Sequence, residues 1–208
     1  MSLHLIFDLD GCLIDSAQVQ RAAYFGSYAE VVGDDRCPPW EEYIKHTGNS
    51  LDNVIAALGL PAEMAAVYRR ISRERVDCVR VNREVIALID EWRARGSRIA
   101  IVTGKDRDRT EELLGYHGIR QYFDCLICGD DAVRPKPSPE PVRAALAALG
   151  CRAAEAVMIG DGYNDILSAK AAGVRSVLTR WYGHEAVPDE ADHTVETAEE
   201  LRKLLERL

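Results

Sequence analysis

Residues 6–16 read IFDLDGCLIDS, an apolar run that stops at two aspartates, Asp8 and Asp10, with one leucine between them. A core strand gains nothing from carboxylates, and burying one unpaired costs several kcal/mol. Alone, D-x-D is too short to be specific. Three other apolar runs end in comparable chemistry. RIAIVT stops at Thr103, followed by Gly104 and Lys105; FDCLIC leads into Asp130, Asp131 and then RPKP with Lys136; AVMIG runs into GDGYND, with Asp161 and Asp165. If these runs are neighbouring parallel strands, four carboxylates (Asp8, Asp10, Asp161, Asp165), one hydroxyl and one lysine meet on one rim, because open parallel sheets carry their sites beyond the carboxyl ends of the strands.

Electrostatics then limits the chemistry. Two unit charges about 4 Å apart repel by roughly 4 kcal/mol at an effective dielectric near 20, so carboxylates gathered this closely do not all stay ionised unaided. A divalent cation resolves the conflict, and all-oxygen ligands with no His or Cys beside them favour Mg²⁺ over zinc. The same cation would neutralise a phosphate brought among the acids. Lys136 adds fixed positive charge, as does Lys105. Thr103 and the backbone N–H groups around Gly104 offer donors to phosphoryl oxygens.

The elements that must hold these residues follow from periodicity. From about Arg83 onward helix and strand alternate: EVIALIDEWRAR closes at Gly96, RIAIVT follows, then DRTEELLGYH to Gly118, FDCLIC, a helix opened by Ser138 and Pro139 and closed at Gly150, AVMIG, NDILSAKAA to Gly173, and SVLT. A short extended piece near Thr194 and Val195 and the helix AEELRKLLERL complete the chain. Such alternation predicts a parallel sheet covered on both faces, and the near-continuous apolar strands agree with it. Residues 16–81 break the rhythm with four helical stretches and no convincing strand. The expected fold class is therefore α/β, a Rossmann-like doubly wound parallel sheet formed by residues 1–15 and 82–208, with an all-helical cap inserted as residues 16–81.

Composition excludes several functions. A net charge of −8 with dispersed Lys and Arg argues against a nucleic-acid surface. No stretch approaches a membrane span, and MSLHLIFDLD makes a poor secretion signal, so a cytoplasmic protein without a membrane partner is expected. Six cysteines in a core-rich chain of 208 residues are expected as thiols. Cys125 and Cys128 form a C-x-x-C, but on a strand positions i and i+3 face opposite ways, which suits buried packing better than a metal. His4, His46, His117, His184 and His193 are scattered and belong to none of the motifs.

FDLDGCLIDS, IVTG, RPKP and GDGYND, in this order around a helical insertion, resemble the four motifs of the haloacid dehalogenase superfamily, in the branch of phosphatases and phosphomutases. The resemblance spans essentially the whole chain. It implies a Mg²⁺-dependent phosphatase in which Asp8 is the nucleophile that forms an aspartyl-phosphate, and Asp10 protonates the leaving alcohol and then activates water. By the same resemblance Mg²⁺ is held by Asp8, Asp161 and the backbone carbonyl of Asp10, with Asp165 supporting that shell. Thr103, Gly104 and Lys136 bind the phosphoryl group, Lys136 also orienting Asp8, and residues 11–15 form the flexible turn through which the cap moves.

Other branches fit less well. The dehalogenases lack an acid at the position of Asp10, and the phosphonoacetaldehyde hydrolases use a cap lysine where this cap holds only Lys45. The β-phosphoglucomutase branch carries a cap His and Arg where Gln20 and Gly48, Asn49, Ser50 and Leu51 stand here, so hydrolysis is expected over phosphoryl transfer. A non-catalytic protein that binds a phosphorylated ligand is the remaining alternative. The pattern is most similar to phosphoglycolate phosphatases and to phosphatases associated with aminohydroxybenzoate biosynthesis. The expected partner is a small-molecule phosphate ester, met by a monomer or weak homodimer. In HTGNS, Asn49 is the candidate substrate contact, with a plain helix cap at Asn49 or Ser50 as the alternative. Arg69, Arg70, Arg73 and Arg75 are expected as a solvated helix face, and Trp181 and Tyr182 as packing at the sheet end.

Overall fold

In the computed structural model, which describes residues 3–131, 134–182 and 190–208, the run that ends at Asp8 is the central strand β1 (His4–Phe7). It pairs in parallel with β4 (Ile99–Val102) on one side and β6 (Ala156–Gly160) on the other. The sheet continues through β5 (Cys125–Ile127) beside β4, and through β7 (Arg175–Thr179) and β8 (His193–Val195) beyond β6. The order is β5-β4-β1-β6-β7-β8, with every pairing parallel.

Alternate strand residues serve different layers, as the period of two requires. Leu5, Phe7, Ile99, Ile101, Val157 and Ile159 pack on one face. That face is covered by α5 (Arg83–Ala94), α6 (Arg107–Tyr116) and α9 (Ala198–Leu205). Ile6, Ala100, Val102 and Met158 point the other way, under α7 (Glu140–Leu149) and α8 (Tyr163–Ala172). Gly150 and Gly173 end α7 and α8 in the left-handed conformation, as their placement in the sequence predicts. The α7 start differs by one residue: Pro139 is its cap, and Ser138 accepts from the Glu140 N–H instead. Cys125 and Cys128 do fall on opposite faces of the sheet, and none of the six cysteines is in a disulfide.

Between β1 and α5 lies the helical insertion: α1 (Ala17–Val31), α2 (Trp40–Ile44), α3 (Leu51–Ala57) and α4 (Met64–Arg73). These helices have a core of their own, in which Tyr24, Tyr28, Tyr43 and Tyr68 pack with Val54, Ile55, Met64 and Ile71. Two strands of two residues, absent from the sequence reading, bracket the insertion. β2 (Ile14–Asp15) and β3 (Arg80–Val81) pair antiparallel, Ile14 opposite Val81 and Asp15 opposite Arg80. Periodicity cannot reveal strands this short.

Residues 11–15 form a turn that is hydrogen-bonded to its surroundings. Cys12, Leu13 and Ile14 are buried, the Leu13 and Ile14 N–H groups donate to the Leu9 carbonyl, and the Trp181 indole donates to the Cys12 carbonyl at 2.9 Å. Trp181 thus packs at the sheet end, as expected. His184 lies outside the described residues. Among those described, no helix is long and apolar enough to cross a membrane.

Candidate active site

Asp8 follows β1 directly and is 4% exposed; its N–H donates to the Ile159 carbonyl at 2.9 Å, which locks the strand end beside β6. Lys136 arrives from the loop before α7 and is fully enclosed. Its ammonium donates to Asp8 Oδ1 at 2.7 Å, to Asp165 Oδ1 at 2.5 Å and to the Val102 carbonyl at 3.1 Å. Its three donors are therefore all matched, with acceptors from three segments. Burial alone would lower the Lys136 pKa, but the two carboxylates outweigh it and raise it, so the ammonium stays charged.

Asp165 sits in the first turn of α8, where its Oδ2 accepts from the Gly162 N–H at 3.0 Å. Asp161 stands just past β6. One carboxylate oxygen from each of Asp8, Asp161 and Asp165 lies within 4.8 Å of the others. Burial first, then the charge of Asp165, pushes Asp8 up to about 7 against the pull of Lys136. Burial and the charges of Asp8 and Asp165 push Asp161 well above the carboxylate range, although it stays partly open to the cleft. Three carboxylates against one ammonium leave an excess of negative charge in little space. A divalent cation among these oxygens would remove that excess, so the donor set fits Mg²⁺. Gly11 has φ +80°, and a β-carbon there would stand 2.0 Å from Asp161 Oδ2. Glycine is needed for both reasons.

Asp10 does not join this carboxylate cluster. Its side chain turns toward the insertion, where Ser16 Oγ donates to Oδ1 at 2.5 Å and Lys105 Nζ lies 3.1 Å from Oδ2. Gln20, one turn further along α1, donates to Ser16 Oγ at 2.9 Å. Reading the sequence placed Lys105 on the rim without a partner and gave Ser16 no role; a serine before a helix carries no distinguishing signal.

Thr103 is buried at the end of β4, where its Oγ1 accepts from the Lys105 N–H at 3.2 Å. Gly104 lies under the insertion: a β-carbon there would meet the Asn49 carbonyl oxygen at 2.3 Å, so no side chain fits. The loop at residues 46–50 thus closes on the core, and Asn164 tethers it further by donating to the Thr47 carbonyl at 2.9 Å. Asn49 lines the cleft, but its Oδ1 accepts from the Ser50 N–H and from Asn53 Nδ2, while Ser50 caps α3. Asp130 and Asp131 face away from the cleft, accepting from Arg107 and from the Cys128 N–H.

The cap arginines divide. Arg70 and Arg73 are exposed and pair with Glu30, Glu74 and Glu112. Arg69 departs from the expected solvated face: it lines the cleft and bridges Asp52 at 3.1 Å to Asp106 of the core at 2.9 Å. Arg109, on α6, is 3% exposed and also lines the cleft. A lone arginine in a helix gives no warning of such a place.

A carboxylate at the end of the central strand, a buried lysine and two further acids beneath a helical insertion define the class: an α/β core with a site suited to an anionic group and a cation. The chain matches the haloacid dehalogenase-like hydrolase family over residues 5–179 and belongs to it. It is 34% identical over 183 residues to the pyrophosphatase PpaX of Bacillus velezensis, covering 85% of this chain and 82% of that one. It is likewise 34% identical over 196 residues to a phosphoglycolate phosphatase of Pectobacterium atrosepticum, covering 86% and 81%. The fold superposes on the crystal structure of CbbY from Rhodobacter sphaeroides in complex with phosphate, with a TM-score of 0.83 and 25% identity, covering 97% and 96%.

Proposed function

We propose that this hydrolase is a Mg²⁺-dependent phosphatase that cleaves a small phosphorylated metabolite through an aspartyl-phosphate on Asp8. The observation that carries the reading is the Lys136 ammonium bridging Asp8 and Asp165 in full burial, with Asp161 alongside. Such a site holds one carboxylate in a fixed direction and leaves an anionic cluster that accepts a cation.

Asp8, Asp161, Asp165 and the Asp10 backbone carbonyl would hold Mg²⁺, which when bound neutralises phosphoryl charge and lets the nucleophile remain ionised. Lys136 fixes Asp8 through Oδ1, so that the carboxylate attacks phosphorus along one direction. Thr103 Oγ1 and the Gly104 N–H bind phosphoryl oxygens. Asp10 gives a proton to the leaving oxygen and then takes one from the water that attacks the phosphoryl-aspartate. Lys105 and Ser16 hold the Asp10 carboxylate between them, with Gln20 fixing Ser16. Residues 16–81 act as the cap that sets specificity on a core of residues 1–15 and 82–208. The six unpaired thiols suit a reducing, cytoplasmic setting.

The test is phosphate release from an aryl phosphate with Mg²⁺, repeated with Asp8→Asn. Full activity in that variant refutes the nucleophile. Accumulation of an isomeric sugar phosphate in place of free phosphate would turn the assignment toward a mutase.

A further inference from the structure

The cleft measures about 540 Å³. A phosphoryl group occupies only the end near Asp8. The rest lies under the insertion, where Trp40, Tyr43, Ile44, Leu51, Val54 and Tyr68 form a wall. The rings are arranged in series: Trp40 stacks on Tyr43 at 4.7 Å and 15°, and Tyr43 on Tyr68 at 6.4 Å and 21°. The two tyrosine hydroxyls engage each other at 2.9 Å. The charge of Asp10 acts on both phenols, while that of Arg109 acts on Tyr68. Asp10, the three rings and Arg109 all line the same cleft.

Arg69 and Arg109 line the cleft along with Lys45, and the two arginines differ. Arg69 is matched by two carboxylates. Arg109 is not. Its Nη2 donates to the Ser72 carbonyl at 2.6 Å and approaches Ser72 Oγ at 3.3 Å. Its Nη1 lies 3.1 Å from Glu112 Oε2 without hydrogen-bond geometry, and its Nε has no acceptor among the described residues. A buried donor left unmatched is costly, and a site built to hydrogen-bond a substrate group discriminates strongly for it.

We infer that the substrate is a phosphomonoester whose alcohol has a compact, apolar, ring-sized body ending in a carboxylate, the body resting on the Trp40–Tyr43–Tyr68 wall and the carboxylate on Arg109. This rests on the phosphatase reading of the Asp8 site. Pyrophosphate has no apolar body, and phosphoglycolate has a carboxylate without one; both leave the wall bare. Arg109 and Trp40, which both line the cleft, are then specificity-determining residues.

The test uses the full chain with Mg²⁺ and four probes: phenyl phosphate, 4-carboxyphenyl phosphate, phosphoglycolate and pyrophosphate, ranked by kcat/KM from phosphate release. The carboxylated aryl ester should lead phenyl phosphate by about tenfold, and both should exceed the other two. Arg109→Gln and Arg109→Lys should each bring the ratio of the two aryl esters toward one, mainly through KM. Trp40→Ala should reduce the preference for aryl esters over pyrophosphate by about tenfold. A lead for pyrophosphate or phosphoglycolate, or an aryl ratio indifferent to both Arg109 variants, overturns the substrate class and leaves the phosphatase standing. Release from none of a wider panel of phosphate esters overturns the phosphatase reading itself.

Discussion

Lys136 and Arg109 are both buried cations at the same cleft, yet their surroundings are opposite. Every donor of Lys136 has an acceptor, drawn from β1, β4 and α8 or the residues beside them. Arg109 leaves Nε and Nη1 without a hydrogen-bond acceptor among the described residues and lines the cleft with the rings. The contrast separates two tasks. The end of the cleft that holds the proposed nucleophile has its hydrogen bonds already filled, and misplacement there is costly. The end proposed to recognise the substrate leaves hydrogen-bonding capacity open.

The sharpest way to break the comparison is at the filled end. Asp8→Asn should lower kcat on an aryl phosphate by at least ~10⁴-fold, as removal of a nucleophile does elsewhere. Withdrawing the cation with a chelator should abolish turnover of the native chain, and added Mg²⁺ should restore it. Lys136→Ala leaves Asp8 and Asp165 buried without their shared partner and should cost on the order of 3 kcal/mol in urea unfolding, besides its loss of activity. Asp10→Asn should slow turnover by about 10²- to 10⁴-fold. Mg²⁺ affinity, measured by calorimetry, should stay within a few-fold, because the Asp10 side chain points away from the carboxylate cluster. The smallest effect belongs to the cap: Tyr43→Phe removes one member of a buried hydroxyl pair and should cost about 1 kcal/mol in thermal unfolding.

Sequence carried the Asp8 end of the cleft further than the Arg109 end, and the reason is physical. Strand ends are marked by a change from apolar to polar residues, so Asp8, Thr103 and Asp161 announce themselves, and the topology of a parallel sheet brings them together. Lys136 is marked by its position among prolines after β5. Ser16, Gln20, Arg69 and Arg109 are helix or cap residues whose sequence surroundings match those of any solvated helix. Their place depends on how the insertion packs against α6 and β1, which no local pattern encodes. The same limit applies to Asn49, whose side chain is engaged within its own loop. The β2–β3 pairing escaped for a related reason: a ladder of two rungs is held by its surroundings rather than by its own residues.

That short ladder has a consequence for how such a molecule can change over generations. Because Ile14 faces Val81 and Asp15 faces Arg80, the chain leaves the core and returns to it within one antiparallel spacing, about 5 Å. From the core, the whole insertion is a single hairpin loop, and lengthening a loop whose ends are already joined costs little entropy. The ladder is thus the place where a change in the length of the insertion meets the core at the lowest entropic cost.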